Sequence, residues 1–448
     1  MLILRKYPKT RVSSRDRVYL MVVWEVHNNI NIFDIMKKKK ILIHSLIFSP
    51  DGVSTAYLYN DIVLAFKRAG YDVVVLSTTP HFNVVSEQLE KQPMKWCVCG
   101  LYKKSFFEGI PVYHVPQKKF KSTLLRLIGF VYWHIVSFFV GLTIKNVDVI
   151  VSPSPPLTIG RLNNWLGKLK GCKVVYNVQE IYPDILNKPE TSLVHRYLRA
   201  MEKKVYNKSA AVTTIDKVFY NTIVNRFEDR SKLHIIPNFV DTELYHSGVS
   251  TDVLDKSLFP ENDNIKLLYA GNIGFAQDWE PLVRLVEKTK EMPVEYFLIG
   301  MGVKKKWMEE QKVTRGLDKL HILDYQPRQL MPAILAYSDL QYIFMTPEQE
   351  GMGFPSKVYT IMACSRPLLV CSGENTPIVN FLKPVGCAML VTDHDLECKT
   401  DKMAQWLSGM TREKLREMGT KGYDEIIQKY TKEIVTKQYV ELVDSLLK

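Results

Sequence analysis

The fold is decided by residues 41–76, which read ILIHSLIFSPDGVSTAYLYNDIVLAFKRAGYDVVVL. The apolar run 41–44 is typical of a buried strand, and a second such run begins at Asp72. Between them, residues 56–69 carry apolar side chains at helical spacing, and Gly70 ends this segment as a helix C-cap. A strand, a loop, a helix and a strand in this order form a βαβ unit, which predicts a parallel sheet.

The same alternation continues along the chain in two series. Polar, turn-rich residues 246–264 separate them. Apolar runs that predict further strands occupy residues 147–151, 173–176, 211–214, 234–236, 266–269, 295–299, 321–323, 340–344 and 368–370. Two successive α/β halves of roughly 200 residues predict two facing doubly wound Rossmann-like domains with a cleft between their carboxyl strand ends. This architecture is that of an α/β protein with two domains.

Length and composition agree with two globular domains. The chain has 448 residues, of which 46% are hydrophobic and 24% are charged, so a disordered tail protein, a collagen-like repeat and a polytopic membrane protein are excluded. Of the net charge of +13, a large part lies in residues 1–40, which hold ten basic and three acidic residues. We expect Met36, before four lysines and the first strand, to be the native start, and residues 1–35 to be an upstream extension. Seven scattered cysteines suit the reduced thiols of a cytoplasmic protein.

One segment departs from the alternating pattern. Residues 127–144 are apolar, rich in aromatic side chains and free of formal charge, and six basic residues lie between Lys103 and Arg126. Three interpretations stay open: a buried core helix of the first domain, a helix that docks on an anionic membrane surface, or a true membrane span.

The first motif is the loop Ser49-Pro-Asp-Gly-Val-Ser-Thr after the first strand. Gly52 lets the backbone approach a ligand, and Ser54 or Thr55 can cap the next helix, whose N-terminus attracts phosphate. The alternative is a plain turn with a helix cap.

The second motif is Tyr176-Asn-Val-Gln-Glu-Ile-Tyr-Pro-Asp, which follows a predicted strand. Gln179 can hydrogen-bond a sugar hydroxyl, and Glu180 or Asp184 can orient such a hydroxyl or accept its proton. A polar loop without ligand contact is the alternative.

Two more motifs follow strands of the second half. Tyr269-Ala-Gly-Asn-Ile-Gly places Gly271 and Gly274 where a diphosphate can approach backbone amides, and Gly300-Met-Gly repeats the arrangement without a dinucleotide fingerprint. In Glu348-Gln-Glu-Gly-Met-Gly-Phe-Pro-Ser-Lys, Lys357 stands in the first turn of a predicted helix, where a cation opposes the helix dipole unless an anion is near. This conflict predicts a phosphate site.

Together, these motifs resemble the retaining nucleotide-sugar glycosyltransferases of the GT-B architecture, specifically family 4. The resemblance covers roughly residues 40–445. Residues 236–241, Ile-Pro-Asn-Phe-Val-Asp, look like the family's Ile-Pro-Asn-Gly-Val-Asp at the entry to the second domain. The motifs are similar to those of transferases from bacterial surface-polysaccharide clusters (O-antigen or capsule) that use N-acetylated amino-deoxyhexose donors such as an L-fucosamine nucleotide.

The resemblance implies a domain plan and a set of site residues. Residues 36–236 would bind the acceptor, residues 237–428 the nucleotide sugar, and a helix in 429–448 would pack back on the first domain. Gln179 occupies the position of the family's catalytic-cleft His, and Asn272 that of its diphosphate-binding Arg. The implied sets are catalytic Gln179, Glu180 and Lys357; donor-binding Gly271, Asn272, Gly274, Glu350, Pro355, Ser356 and Thr360; and, for the acceptor and phosphate loop, Asp51, Gly52, Ser54 and Thr55.

The resemblance also implies a mechanism and partners. The donor's own phosphate would help deprotonate the acceptor hydroxyl, so the protein orients substrates and stabilises the diphosphate charge without a nucleophile or metal. We expect a UDP-linked donor, a polyprenyl-linked saccharide acceptor, an anionic membrane surface contacted through residues 103–144, no nucleic acid, and a peripheral location on the cytoplasmic face of the plasma membrane. Asp393-His-Asp, a short match to a metal signature, is expected to arise by chance. The alternatives are a nucleotide-sugar epimerase or hydrolase, and a non-enzymatic basic protein that binds membrane surfaces.

Overall fold

The computed structural model describes residues 38–448 except 99, 118–121, 187–188, 190 and 351–353. The expected start at Met36, the extension before it and Lys118, Lys119 and Lys121 of the basic cluster lie outside the described residues.

The N-terminal domain is built on a sheet of nine strands in the described part of the chain. The strands are β1 Lys40–His44, β2 Asp72–Thr78, β3 Lys95–Cys97, β4 Tyr102–Phe107, β5 Ile110–Val115, β6 Val149–Pro153, β7 Lys173–Val178, β8 Ala211–Thr214 and β9 Leu233–Ile235. They lie in the order β3-β4-β5-β2-β1-β6-β7-β8-β9. The seven strands from β5 through β2 and β1 to β9 in this order pair in parallel, and β3, β4 and β5 form an antiparallel edge. The order reverses between β1 and β6, which is where ligands of such sheets bind.

Helices cover both faces of this sheet. They are α1 Ser54–Arg68, α2 Ser86–Lys91, α3 Thr123–Thr143, α4 Leu157–Lys170, α5 Leu193–Lys208 and α6 Lys217–Ile223, followed by 3₁₀ turns at Val224–Arg226 and Arg230–Lys232. On one face α3, α4 and α5 bury an apolar layer that includes Trp133 and Leu166. On the other face lies α1, with Phe66 in the core. Such burial of both sheet faces suits the nearly continuous apolar runs of the parallel strands.

The C-terminal domain repeats the doubly wound plan with six parallel strands among the described residues. They are β10 Ile265–Ala270, β11 Val294–Ile299, β12 Leu320–Leu323, β13 Leu340–Phe344, β14 Leu368–Cys371 and β15 Ala388–Val391. Their order, β12-β11-β10-β13-β14-β15, reverses between β10 and β13. Its helices are α7 Glu280–Lys288, α8 Lys305–Thr314, α9 Met331–Tyr337, α10 Lys357–Ala363, α11 Pro377–Leu382, α12 Leu396–Ser408, α13 Arg412–Lys429 and α14 Lys432–Leu447, with a 3₁₀ turn at Arg328–Leu330. The predicted α/β architecture of two doubly wound domains is confirmed.

The last helix, α14, crosses back to the N-terminal domain. Its residues Val435, Tyr439 and Leu442 belong to the same core layer as α1. The amide of Asn177, in β7, donates a hydrogen bond of 3.0 Å to the Tyr439 hydroxyl. This helix therefore packs on the N-terminal domain and ties the two domains together.

The apolar segment predicted at 127–144 is the helix α3, which begins earlier, at Thr123. Trp133, Val136 and Val140 lie on its buried face, whereas Leu127 and Phe139 are more than half exposed. By length and composition it is, within the described ranges, the one helix that could cross a membrane. A wholly buried core helix is therefore the wrong description, and the docking and spanning interpretations stay predictions.

Candidate active site

The carboxyl strand ends of the two domains face each other across a cleft. The guanidinium of Arg328, which follows β12, lies over the ring of Tyr57 in the first turn of α1. At the base of the cleft, Gln179 and Asn238 exchange two amide hydrogen bonds of 3.0 Å, so the end of β7 is joined to the segment that enters the second domain. The predicted N-terminal and C-terminal motifs thus lie on opposite walls of one cleft.

The loop before α1 is held by the loop after β2. Asp51 is 1% exposed, and its Oδ1 accepts backbone hydrogen bonds of 2.8 Å from His81 and Phe82. Burial raises the pKa of this carboxyl. A Cβ on Gly52 would stand 2.4 Å from the Asn83 carbonyl oxygen, so only glycine fits this crossing of two backbones. Asp51 and Gly52 therefore shape the predicted acceptor loop.

The predicted side-chain cap of α1 is wrong. The helix begins at Ser54, the residue before it is Val53, and no side chain accepts a hydrogen bond from the first turn. Ser54 is already inside the helix and exposed, and Thr55 is half-buried. The amides of this first turn are consequently left uncapped at the cleft.

The amide of Gln179 is fully engaged within the protein. Besides Asn238, its Nε2 donates 2.8 Å to Oδ1 of Asn177. Its backbone amide donates 3.0 Å to the Ser154 hydroxyl, which follows β6. These bonds hold β6, β7 and the interdomain segment in one network. The catalytic assignment of Gln179 stays a prediction, and the geometry gives the residue a bracing role.

Glu180 and Asp184, four residues apart, have opposite environments. Glu180 is half-buried, and its carboxylate makes no hydrogen bond or ion pair with any residue that the structure describes. Burial raises the pKa of Glu180. Asp184, by contrast, pairs with both Arg199 and Arg226, which also hold the buried Glu202. Asp184 is thereby committed to an ion-pair cluster, and Glu180 is the carboxylate left to meet a substrate.

Two glycine loops form the facing wall, after β10 and β11. A Cβ on Gly300 would lie 1.9 Å from the Gly271 carbonyl oxygen, and one on Gly302 would lie 2.2 Å from that of Ile273. Gly300 also has a φ of +145°, a conformation that side chains rarely adopt. The indole of Trp279 donates 2.8 Å to the Gly274 carbonyl and fixes the loop from below. The two loops therefore pack against each other through their backbones, which only glycine allows at these positions.

Lys357 lies beneath these loops. It begins α10, and its Nζ donates 3.1 Å to the Ala270 carbonyl and lies 3.7 Å from the centre of the Tyr269 ring. A Cβ on Gly271 would stand 2.7 Å from this Nζ. Burial lowers the pKa of Lys357 to about 7, since no described carboxylate pairs with it. Its amine is therefore desolvated and available to an anion at the loop.

The remaining predicted donor residues lie at the start of α10, in the segment before it and in the glycine loop after β10. The Thr360 hydroxyl donates 2.8 Å to the Lys357 carbonyl, and the Tyr269 hydroxyl donates 2.9 Å to the Asn272 carbonyl. The Glu350 carboxylate packs over Gly373, after β14. Pro355 is half-buried and Ser356 is exposed, directly before α10. Their roles in donor binding stay predictions.

The Asp393-His-Asp stretch has ordinary structural roles. Asp395 caps α12 by accepting 2.7 Å from the Cys398 amide. Asp393 pairs with Lys402 through two contacts of 2.8 Å. No group of three or more His, Cys, Asp or Glu side chains among the described residues is placed to hold a metal ion.

The sequence patterns missed Arg328 and Tyr57. Arg328 is half-buried, pairs with no described carboxylate, and burial lowers its pKa to about 10. It lies in a loop between β12 and α9, and its partner is more than 250 residues away, so no local pattern marks it. Asn238 was within reach of sequence reasoning, because it belongs to the quoted Ile-Pro-Asn motif.

Comparisons with known proteins show which proteins this chain is similar to. Residues 56–244 match the model of Glycosyltransferase Family 4. WcaI of Escherichia coli (strain K12), named as a glycosyl transferase of colanic acid biosynthesis, is 24% identical over 341 residues, which cover 72% of this chain and 81% of WcaI. WbjE of Pseudomonas aeruginosa, named as a glycosyltransferase, is 23% identical over 252 residues, which cover 53% of this chain and 61% of WbjE.

Solved structures share the fold at low identity. HepE of Anabaena in complex with UDP superimposes with a TM-score of 0.66 at 13% identity, over 91% of this chain and all of HepE. Sucrose-phosphate synthase of Thermosynechococcus elongatus superimposes with a TM-score of 0.67 at 12% identity, over 92% of this chain and 99% of the synthase. WaaG, a glycosyltransferase of lipopolysaccharide biosynthesis, superimposes with a TM-score of 0.62 at 11% identity, over 89% of this chain and 98% of WaaG. The chain therefore has a GT-B architecture, residues 56–244 are similar to the glycosyltransferase family 4 domain, and the protein is a glycosyltransferase.

Proposed function

We propose that the protein transfers an N-acetylated amino-deoxyhexose from a UDP-linked donor to a lipid-linked sugar acceptor, with retention of anomeric configuration, in surface polysaccharide synthesis. The observation that carries this proposal is the position of Lys357. Its amine lies buried beneath a glycine loop, without a carboxylate partner among the described residues. A desolvated cation beside backbone amides is the arrangement that stabilises a departing nucleoside diphosphate.

The residues of the opposite wall fit the acceptor half of such a reaction. The uncapped first turn of α1 can approach an acceptor phosphate, and Glu180 can accept a hydrogen bond from an acceptor hydroxyl. The donor's phosphate oxygen takes the hydroxyl proton as the new bond forms, on the face that the diphosphate leaves. This chain then needs to supply orientation and charge stabilisation, and neither a nucleophile nor a metal ion.

The nature of the substrates is supported by the relatives. HepE of Anabaena has been solved in complex with UDP, with UDP and glucose, and with UDP-glucose. WcaI is named for colanic acid, and WaaG for lipopolysaccharide. A UDP-linked donor and a surface polysaccharide are therefore the substrates that we propose for this chain.

Peripheral attachment to the cytoplasmic membrane surface is part of the proposal. The outer face of α3 exposes Leu124, Leu127 and Ile128, each more than half exposed. Arg126 stands in the same turn, and Lys103 and Lys104 lie on the neighbouring sheet edge, in β4. An apolar helix face beside cations suits the boundary of an anionic bilayer.

The test is a transfer assay with purified full-length protein. A panel of UDP-linked sugars is incubated with vesicles that contain polyprenyl diphosphate-linked sugar, and products are analysed by mass spectrometry and by NMR of the anomeric proton. We expect acceptor-dependent transfer with retained configuration and unchanged rates in EDTA. Inverted product, isomerised donor without acceptor, or loss of activity in EDTA with recovery in manganese would each contradict the proposal.

A further inference from the structure

An apolar groove of about 510 Å³ lies on the outer face of the N-terminal domain, between α3, α4 and α5. Its volume is in the range of small-molecule sites. Each helix contributes side chains three or four residues apart, among them Phe138 from α3, Trp165 from α4 and Tyr197 from α5. Trp165 and Tyr197 are 54% and 66% exposed, so large aromatic surfaces face the groove. The groove is separate from the cleft walls described above.

The polar groups on the groove floor are satisfied within the protein. Nδ1 of His134 bonds to the Phe130 carbonyl at 2.8 Å, and its Nε2 bonds to the Thr158 hydroxyl at 2.9 Å. Both ring nitrogens therefore have partners, and burial lowers the pKa of this imidazole. An occupant gains little from hydrogen bonding here and must be bound by its apolar surface.

The charged residues of the groove are both cationic. Arg161 and Lys204 line it, and no acidic side chain does so in the described chain. The Arg161 guanidinium lies 4.9 Å from the centre of the Trp165 ring. The groove therefore offers an apolar occupant aromatic and aliphatic walls, and it has no described acidic side chain that would repel a lipid bearing a phosphate group.

The groove opens towards the cleft. The hydrogen bond between His134 and Thr158 places the second residue of α4 beside the middle of α3. Residues 123–132 of α3 therefore extend about 15 Å beyond the start of α4, on the side of the carboxyl strand ends. Leu127 and Val131 of this extension are exposed. They continue the apolar surface from the groove to the edge of the sheet at which the acceptor loop lies.

We infer that this groove binds the isoprenoid chain of the lipid-linked acceptor, which rests on the proposed function. A flat or convex apolar face would suffice for docking on a bilayer, and the exposed side of α3 provides one. A concave channel with walls from three helices instead accommodates a single chain. Its opening beside the cleft allows one molecule to occupy the groove with its chain and the cleft with its sugar.

The inference can be tested without catalysis. A C15 isoprenoid diphosphate with a diazirine on its terminal unit is photo-crosslinked to the full-length protein in neutral detergent, and the labelled peptides are mapped by mass spectrometry. We expect labelling of α3, α4 and α5 at the groove, which unlabelled farnesyl diphosphate competes away. Ala200→Trp fills the groove from an exposed position on α5, and labelling should fall at least tenfold. Trp165→Ser, which removes a wall, is the second variant if Ala200→Trp fails to fold.

The matched control is Lys203→Trp, which adds the same indole at an exposed position of α5 that does not line the groove and should leave labelling unchanged. Equal labelling of Ala200→Trp and the wild type would overturn the inference, as would equal competition by phosphatidylglycerol or by inorganic diphosphate alone. Sugar transfer to a lipid-linked acceptor that Ala200→Trp leaves unchanged would refute the groove and leave the proposed function standing. Specific labelling of the groove without any sugar transfer would support the groove and contradict the proposed function.

Discussion

The two walls of the cleft differ in how their polar groups are used. On the N-terminal wall, Gln179, Asp51 and Asp184 are all bonded within the protein, to Asn238, to backbone amides and to two arginines. On the C-terminal wall, glycine loops expose backbone, and Lys357 has a carbonyl and an aromatic ring as neighbours but no described carboxylate. Apart from Glu180, these side chains of the N-terminal wall are satisfied within the protein, whereas the charge of Lys357 on the C-terminal wall is not.

From this difference we expect the charge that stabilises the leaving diphosphate to lie on the C-terminal wall. Keeping an ammonium group desolvated without a counter-charge destabilises the free protein, so such an arrangement persists where a ligand supplies the missing anion. A hydrogen-bond network whose polar groups are all satisfied carries no such desolvation cost, and it fixes the positions of its side chains. We therefore expect variants of the first wall to alter stability and orientation, and variants of the second wall to alter turnover.

Lys357→Ala is expected to have the largest effect. Removal of this amine should lower kcat about 10²-fold or more, which corresponds to the loss of one charge contact to the leaving diphosphate. The measurement is the initial rate of sugar transfer at saturating donor, together with the donor affinity by calorimetry. Lys306→Ala is the matched control, because Lys306 is exposed on α8 of the same domain. Turnover of Lys357→Ala within twofold of the control would remove the contrast between the two walls.

The walls could be predicted from sequence, but their internal bonding could not. The runs around Ile41 and Asp72 placed the first βαβ unit correctly, because buried parallel strands need continuous apolar residues and the helix between them shows its own period. The antiparallel edge β3-β4-β5 was missed. Its strands mix lysines with aromatic side chains, and Trp96 and Phe106 are exposed, so no buried run marks them.

Long-range pairing explains the rest of what the sequence left open. The sequence predicts that Gln179 binds a sugar hydroxyl, whereas in the structure its amide is paired with Asn238, 59 residues away. The sequence offers Asp184 as an alternative to Glu180, whereas in the structure two arginines from later segments pair with it. Lys357 could be singled out, because a lysine in the first turn of a helix conflicts with the helix dipole within a few residues of sequence. An unfavourable charge within one helix turn can be recognised from neighbouring residues in the sequence. A partner that is distant along the chain cannot be recognised in this way.

Glu180→Gln sharpens the comparison within the N-terminal wall. Glu180 carries an unpaired carboxylate among the residues described in that wall. Its loss should lower kcat on the order of tenfold, less than the 10²–10⁴-fold contribution of a full general base, because the donor phosphate takes the proton. Asp184→Asn is the control. It breaks the arginine cluster and should lower the melting temperature while the folded enzyme keeps its turnover. Equal losses of turnover in both variants would mean that the loop as a whole, and not the free carboxylate, is what matters.

The pH dependence of donor binding gives the smallest expected effect. Burial sets the pKa of Lys357 near 7 in the free protein, and a bound diphosphate raises it, so binding takes up a proton above pH 7. Donor affinity should therefore be highest below pH 7 and fall about fivefold between pH 7 and pH 8, as the protonated fraction of the free amine declines. Calorimetry with a UDP-sugar, whose two phosphates do not titrate in this range, in buffers of different ionisation enthalpy measures both the affinity and the proton uptake. Lys357→Met keeps the length of the side chain and removes its charge, so it should bind more weakly at pH 6 and show no slope. A slope that persists in Lys357→Met would place the titrating group elsewhere in the cleft and would leave the C-terminal wall without its distinguishing charge.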